Sequence, residues 1–126
     1  FVDERTIVCA VEENPSDENH KILQKNYEDL LKMRDQNGEP FKIVTIPMPE
    51  PIIDEAENIR LPASYINFYI ANKAVLLPTF GCARDKEAHD ILQKLFPTRR
   101  TVEIDCTDFV LGLGTIHCST QQQICE

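Results

Sequence analysis

The segment His20-Lys21-Ile22-Leu23-Gln24-Lys25 returns later in the chain as His89-Asp90-Ile91-Leu92-Gln93-Lys94. A strand-like apolar run precedes each copy, at residues 6–10 and 74–77, and a second run follows each copy, at residues 42–46 and 100–104. Self-similarity in which the order of elements also matches is typical of one supersecondary unit used twice. The sequence therefore predicts an α/β fold with about two strand–helix–strand repeats, near residues 1–60 and 61–126.

Both repeated segments lie in stretches with helical periodicity. Apolar residues recur every three or four positions on one face of each stretch, as expected for helices that pack on a sheet. We expect the first helix at about residues 17–34, with Asn14 or Ser16 as its cap and Gly38 after its end. The second helix is expected at about residues 85–96, because a proline follows it.

Residues 64–70 alternate in a manner typical of a strand. One face would carry apolar residues that point to a core: Ile66, Phe68 and Ile70. The other face would carry a polar and aromatic set able to line a cavity: Tyr65, Asn67 and Tyr69. In such a strand the Asn67 side chain either bonds neighbouring backbone or offers its carbonyl oxygen to the N–H groups of a ligand.

Composition and charge exclude several classes of protein. The 126 residues are 42% hydrophobic, which fits one globular domain. A net charge of −8 argues against nucleic-acid binding, and no apolar run approaches the length of a membrane span. Five irregularly spaced cysteines favour reduced thiols and a cytoplasmic location over a disulfide framework. The chain opens on Phe1 rather than Met, so we expect a fragment or a processed product.

Cys118 is the residue that the sequence marks for chemistry. It lies in the run 112–123, where two glycines allow close backbone approach, Ile116 supplies a core anchor, and hydroxyl and amide residues flank the thiol. A nucleophilic thiol must be reachable and its thiolate stabilised, whereas a buried structural cysteine needs neither. Both interpretations stay open on these residues alone.

Two other roles for this region are less well supported. On an extended segment His117 would point away from the Cys118 thiol, so we interpret His117 as a packing residue rather than a base. A zinc site would need a set such as Cys106, His117, Cys118 and Cys125. That set contains no closely spaced ligand pair of the Cys-x-x-Cys kind, so a metal site is disfavoured.

Two motifs resemble a known family. Residues 61–72 read Leu-Pro-Ala-Ser-Tyr-Ile-Asn-Phe-Tyr-Ile-Ala-Asn, and residues 112–122 read Gly-Leu-Gly-Thr-Ile-His-Cys-Ser-Thr-Gln-Gln. Together they resemble the C-terminal part of the agmatine deiminases, which belong with the Porphyromonas-type peptidylarginine deiminases to one guanidine-modifying superfamily. The family pattern before the cysteine is Gly-Gly-Gly-Asn-Ile-His-Cys, from which Leu113 and Thr115 depart. The family also often has glycine at Lys73, which would be strained there if its φ were positive.

The resemblance runs from Phe1 to about Gln123 and implies both a fold and a site. It implies a five-fold pseudosymmetric α/β propeller (pentein), of which about two repeats would be present. It implies Cys118 as the catalytic nucleophile, no cofactor and no metal. It implies substrate binding for Asn67, and we expect Gly114 and Thr115, beside the thiol, to bind substrate as well. The partner histidine and two acidic residues of the family would lie upstream of the segment that matches this chain.

The implied reaction converts agmatine and water to N-carbamoylputrescine and ammonia, a step of putrescine and polyamine biosynthesis. The expected ligand is thus a small cationic guanidine, with no nucleic-acid or membrane partner. Deimination of protein arginine is the alternative within the same chemistry. A non-catalytic isolated fragment is the other alternative, and the 126-residue chain alone is expected to be inactive. It could form a homo-oligomer or associate with the missing N-terminal part.

Overall fold

The computed structural model of the protein describes residues 1–123. The chain divides into two compact units, the first formed by Phe1–Met48 and the second beginning at Pro49. Each unit contains a strand, a helix and a second strand that returns parallel to the first. The predicted mixed α/β class is confirmed, whereas the five-fold propeller and the number of repeats stay predictions.

The first unit is a two-stranded parallel sheet with one crossover helix. β1 (Thr6–Val11) and β2 (Lys42–Pro47) pair in register, from Thr6 opposite Lys42 to Val11 opposite Pro47. α1 (His20–Lys32) connects them, as a parallel pair requires. Side chains of both strands are buried: Ile7, Cys9 and Ile46.

The second unit carries the larger sheet. β3 (Ile53–Asp54) and β4 (Ile59–Arg60), each two residues long, pair antiparallel. A three-stranded sheet follows in the order β5 (Tyr69–Ile70), β6 (Ala74–Thr79), β7 (Arg100–Asp105), with β6 and β7 parallel across the helix α2 (Arg84–Leu95). The core joins β6 to α2 through fully buried side chains: Val75, Leu77, Ala88 and Leu92.

The predicted helices and long strands lie within a few residues of their expected bounds, but the predicted helix cap is wrong. α1 begins after Asn19, which makes no side-chain capping bond. Asn14 instead accepts the backbone N–H of Ser16 within the preceding turn, which competes with a capping role. Gly38, with φ of 82°, lies in a turn some residues beyond the helix end.

The predicted strand over residues 64–70 is also wrong for most of its length. Ser64 Oγ accepts the Ile66 N–H and caps a 3-10 helix at Tyr65–Asn67, so only Tyr69–Ile70 remains as strand β5. The side-chain directions change accordingly: Tyr65 is fully buried and Ile66 is 37% exposed, the reverse of the predicted faces. Phe68 is buried as expected.

Two further sequence-based points concern backbone strain and membranes. Among the described non-glycine residues, φ is positive only at Asn58 and Leu113, so Lys73 does not bear the strain that a left-handed turn would impose. Within residues 1–123, no helix combines the length and the apolar character that crossing a bilayer requires.

Candidate functional site

Cys118 lies on a short 3-10 helix, His117–Ser119, rather than on the extended segment that was predicted. Ile116 is the N-cap residue of this turn, and its buried side chain anchors the turn in the core. Ser119 donates its backbone N–H and its hydroxyl to the carbonyls of Thr115 and Ile116. Ser119 therefore stabilises the turn, because it donates hydrogen bonds to carbonyl oxygens that have no partner within a single turn.

The side chain of Asn67 joins this turn to the 3-10 helix Tyr65–Asn67. Its Oδ1 accepts the backbone N–H groups of His117 at 2.8 Å and Cys118 at 3.2 Å. Its Nδ2 donates to Cys118 Sγ at 3.0 Å. One carboxamide thus caps the turn that carries Cys118 and places a donor on its sulfur.

This arrangement bears on the two alternatives for the Asn67 carbonyl. Two backbone N–H groups donate to Oδ1, which has two lone pairs, so in this structure the oxygen bonds backbone. The bond to backbone was one of the two alternatives, although the backbone lies 50 and 51 residues away rather than next to Asn67. A substrate-binding role for Asn67, Gly114 and Thr115 stays a prediction.

Gly114 is required for steric reasons. A Cβ placed on Gly114 would lie 2.9 Å from Cys118 Cβ, closer than real Cβ atoms approach one another, and 3.1 Å from Cys118 Sγ, which is tighter than most Cβ contacts. Gly112, two residues earlier, has open space at the same position. Of these two glycines, Gly114 alone lets the backbone pass directly beside the thiol.

The surroundings of Cys118 favour its thiolate. The Asn67 amide donor has the largest effect and lowers the pKa of the Cys118 thiol, and the backbone of Thr115 lowers it further. The side chain is exposed to solvent, so an electrophile can reach the sulfur. Burial instead raises the pKa of the Cys9 and Cys106 thiols. Exposure and a lowered pKa thus distinguish Cys118 from these two cysteines.

The flanking residues have separate roles. His117 is exposed, and its ring packs edge-on against Tyr69 with the centroids 6.5 Å apart. Its backbone, not its ring, contacts Asn67. Leu113 has φ of 61°, in the left-handed region. The family pattern quoted above has glycine at this position, which adopts such a φ without strain. Thr115 is fully buried, and its Oγ1 has no hydrogen-bond partner within the described residues.

Of the residues considered for zinc, only Cys106, His117 and Cys118 are among those that the structure describes. Cys106 is buried and Cys118 is exposed, while Cys125 lies outside the described residues. Within residues 1–123, His, Cys, Asp and Glu side chains form no group of three or more that could hold a metal ion.

Comparison with known proteins places these features in a family. A sequence model of the Porphyromonas-type peptidyl-arginine deiminases matches residues 1–123, which include Asn67, Gly114 and Cys118. The chain belongs to this family. The predicted resemblance is therefore confirmed.

Relatives and solved structures agree with this assignment. A Latilactobacillus sakei protein named "Putative agmatine deiminase" is 36% identical, and the match covers 97% of this chain and 38% of that protein. The crystal structure named "Putative Arginine Deiminase" from Porphyromonas gingivalis is 43% identical with a TM-score of 0.89, over 94% of this chain and 34% of that one. The agmatine deiminase of Enterococcus faecalis is 28% identical with a TM-score of 0.90, over 98% of this chain and 38% of that one.

The chain spans only part of the length of these relatives. It covers little more than a third of the curated relatives that it matches, 38% of one and 35% of another.

Sequence analysis singled out Cys118 and Asn67 but missed the contact between them. It also missed the steric role of Gly114, although four-residue spacing to Cys118 across a tight turn is a signal for close approach.

Proposed function

We propose that this chain forms the C-terminal portion of the catalytic domain of an agmatine deiminase-like amidine hydrolase, with Cys118 as its nucleophile. The observation that carries the proposal is the exposed Cys118 thiol, whose pKa is lowered by the Asn67 donor, in a member of a deiminase family. Agmatine as substrate is supported by the names of its relatives, which include the agmatine deiminase of Enterococcus faecalis.

The chemistry begins with the Cys118 thiolate. Its sulfur adds to the central carbon of the guanidinium, and the C–N bond to the leaving nitrogen breaks as that nitrogen takes a proton and departs as ammonia. The result is an amidino-thioether on Cys118. Water then adds to the same carbon, the C–S bond breaks, and the thiolate returns. The product carries a urea in place of the guanidinium, which for agmatine is N-carbamoylputrescine.

Asn67 and Gly114 prepare the thiolate for this attack. The Asn67 amide donor stabilises negative charge on Sγ before substrate arrives, while its carbonyl oxygen holds the Cys118 backbone. Gly114 leaves the space that Sγ occupies. The positive charge of a guanidinium would stabilise the thiolate further.

The general acid and the carboxylates that hold the guanidinium are assigned to polypeptide outside this chain. The family resemblance implies a histidine and two acidic residues for these roles. We propose that this chain acts together with that polypeptide, within one domain or as an associated piece, and has no turnover alone. The net charge of −8 is compatible with attracting a cationic substrate.

Deimination of protein arginine is a second candidate, favoured by the description of the matching family as peptidyl-arginine deiminases. The covalent chemistry at Cys118 would be the same. The two substrates differ only in the group that carries the guanidinium, which is a short aminoalkyl chain in one and a peptide in the other. Turnover of agmatine compared with that of an N-acylated arginine amide separates them.

The proposal is tested by ammonia release from agmatine, using a polypeptide in which this chain is joined to the rest of a deiminase domain. We expect Cys118→Ala to abolish release and to prevent formation of a covalent adduct detectable by denatured mass spectrometry. Cys9→Ala removes a thiol from β1 instead and is expected to retain turnover. Turnover in the Cys118→Ala protein would refute the assignment of the nucleophile.

A further inference from the structure

Tyr65 lies at the start of the 3-10 helix that ends in Asn67, and its side chain points into the core. The ring is fully buried and packs against Phe80 with the centroids 5.7 Å apart. The hydroxyl donates to Asp85 Oδ1 at 2.6 Å. A hydrogen bond to a carboxylate is stronger than one between neutral groups, so this contact holds the start of the 3-10 helix tightly.

Asp85 is itself fixed by the backbone around it. Its carboxylate accepts the N–H of Phe80 at 3.1 Å and the N–H of Cys82, also at 3.1 Å, in the turn between β6 and α2. It also lies in the first turn of α2, where the helix dipole stabilises negative charge. The Tyr65 hydroxyl therefore bonds to an acceptor that is itself fixed by the start of α2 and the turn before it.

The other end of the 3-10 helix is anchored as well. Phe68 follows Asn67 directly, is buried, and packs edge-on against Phe96 at 6.0 Å between centroids. Phe96 is the C-cap residue of α2, whereas Asp85 lies at the start of that helix. Asn67 thus lies between Tyr65 and Phe68, and each of these two residues contacts one end of α2.

We propose that the Tyr65–Asp85 hydrogen bond positions Asn67 and thereby sets the reactivity of Cys118. Tyr65 and Asp85 do not touch the thiol, so they are positioning residues. The physical link is short: the backbone from Tyr65 to Asn67 is two residues of one tight turn, and the Asn67 carboxamide then contacts both Sγ and the N–H of Cys118.

The protonation state of Tyr65 agrees with this role. Burial, followed by the hydrogen bonds to Asp85 and Cys82, raises the pKa of the Tyr65 hydroxyl, so that it remains a donor at neutral pH. With its proton directed to Asp85, Tyr65 Oη is free to accept from the Cys82 thiol, which lies 3.2 Å away. The proposal deepens the proposed function, because it matters for catalysis only if Cys118 is the nucleophile.

The test measures thiol reactivity rather than turnover, so it does not depend on the substrate. Cys118 in the 126-residue chain is alkylated with iodoacetamide over a range of pH, and the modified peptide is followed by mass spectrometry. Tyr65→Phe keeps the buried ring and removes the hydroxyl. We expect alkylation of Cys118 near neutral pH to slow by about three- to tenfold, the equivalent of one lost hydrogen bond. Tyr27→Phe in α1 is the matched control and is expected to leave the rate unchanged.

A double-mutant cycle with Asn67→Ala separates positioning from general destabilisation. If Tyr65 acts through Asn67, then Tyr65→Phe has no further effect in the Asn67→Ala background. Equal slowing in both backgrounds, or an unchanged rate in Tyr65→Phe alone, would overturn the proposal. Should Tyr65→Phe not fold, Asp85→Asn weakens the same bond and is expected to slow alkylation in the same way, which an unchanged rate would contradict. Failure of the nucleophile assignment would appear in a different experiment, as ammonia release by the Cys118→Ala protein.

Discussion

Asn67 Nδ2 lies 3.0 Å from Cys118 Sγ, a contact between residues that are 51 positions apart in the chain. The same carboxamide accepts the Cys118 N–H through Oδ1. The thiol and its own backbone are therefore held by the two ends of one rigid, planar group. Because a carboxamide cannot move one end without the other, the direction of the Sγ atom is coupled to the cap of its turn.

Asn67→Asp replaces the donor end of this group with an acceptor and adds a negative charge beside the thiol. The aspartate keeps an acceptor for the backbone N–H groups but replaces the NH₂ donor with an oxygen that shares its negative charge. The Asn67 donor lowers the pKa of the Cys118 thiol, so its replacement raises that pKa and moves the alkylation midpoint to higher pH. We expect alkylation near pH 7 to slow about tenfold or more.

The measurement is the rate of iodoacetamide modification of the Cys118 peptide from about pH 6 to about pH 10, which brackets the ordinary thiol pKa. Asn72→Asp makes the same charge change at an exposed position after β5 and should leave the midpoint in place. A midpoint that stays put or falls in Asn67→Asp would show that the donor does not stabilise the thiolate.

Gly114→Ala tests the space beside the thiol. The added methyl would lie within 3.1 Å of both Cys118 Cβ and Sγ, so the Cys118 turn must shift, and we expect the shift to disturb the contact with Asn67. We expect Cys118 alkylation near neutral pH to slow by about tenfold, since a displaced sulfur loses its donor.

Gly112→Ala is the matched control for this change, because a methyl at Gly112 meets nothing within 4 Å. Its alkylation rate should equal that of the unmodified chain under the same conditions. Similar slowing in both variants would mean that flexibility of the loop, rather than contact with Cys118, accounts for the effect.

Leu113→Gly tests the strain in the segment before Cys118. Leu113 has φ of 61° and is 63% exposed, so glycine would relieve backbone strain at little cost in packing. We expect the free energy of unfolding, measured by urea denaturation, to rise by up to about 1 kcal/mol. Leu111→Gly is the control: Leu111 is also exposed but lies within the 3-10 helix Phe109–Gly112, so glycine there should destabilise. A loss of stability in Leu113→Gly would show that its side chain contributes more than its backbone costs.

Thr115→Val tests the buried hydroxyl next to Gly114. Thr115 Oγ1 is buried without a partner within the described residues, and valine keeps the shape while removing the polar atom. We expect urea denaturation to show a gain of about 1 kcal/mol in the free energy of unfolding. Thr107→Val removes a hydroxyl that does bond, to Asp105 Oδ1 at 2.7 Å, and should lower that free energy instead. Destabilisation by both variants would indicate that the Thr115 hydroxyl has a partner after all.

Local periodicity was enough to predict the two long helices and the four long strands. The apolar stripe of each helix and the strand-like runs at 6–10, 42–46, 74–77 and 100–104 lie in the observed α1, α2, β1, β2, β6 and β7. These patterns are readable because each residue's face follows from its own helix or strand. Cys118 was also identifiable as a candidate nucleophile, since the surrounding glycines and polar residues are adjacent to it in sequence.

The strand expected at residues 64–70 shows where local patterns fail. The alternation of polar and apolar residues was real, yet Tyr65 is buried and Ile66 exposed. Burial of Tyr65 depends on Asp85, an acceptor 20 residues away, and the Ser64 hydroxyl supplies an alternative partner for the backbone. Neither effect has a periodic signature, so the alternating pattern predicted a strand where a 3-10 helix forms.

The sequence by itself determined the α/β class and the positions of the two long helices, and it marked Cys118 as a candidate nucleophile, because these follow from residues close together in the chain. Only the tertiary structure decided what surrounds that thiol. The packing of α2 against the residues around Asn67 brings a carboxamide to Cys118 across 51 positions and makes Gly114 the contact that allows it. Hydrogen bonds of about 3 Å depend on how separate segments pack, and sequence spacing carries no record of that distance.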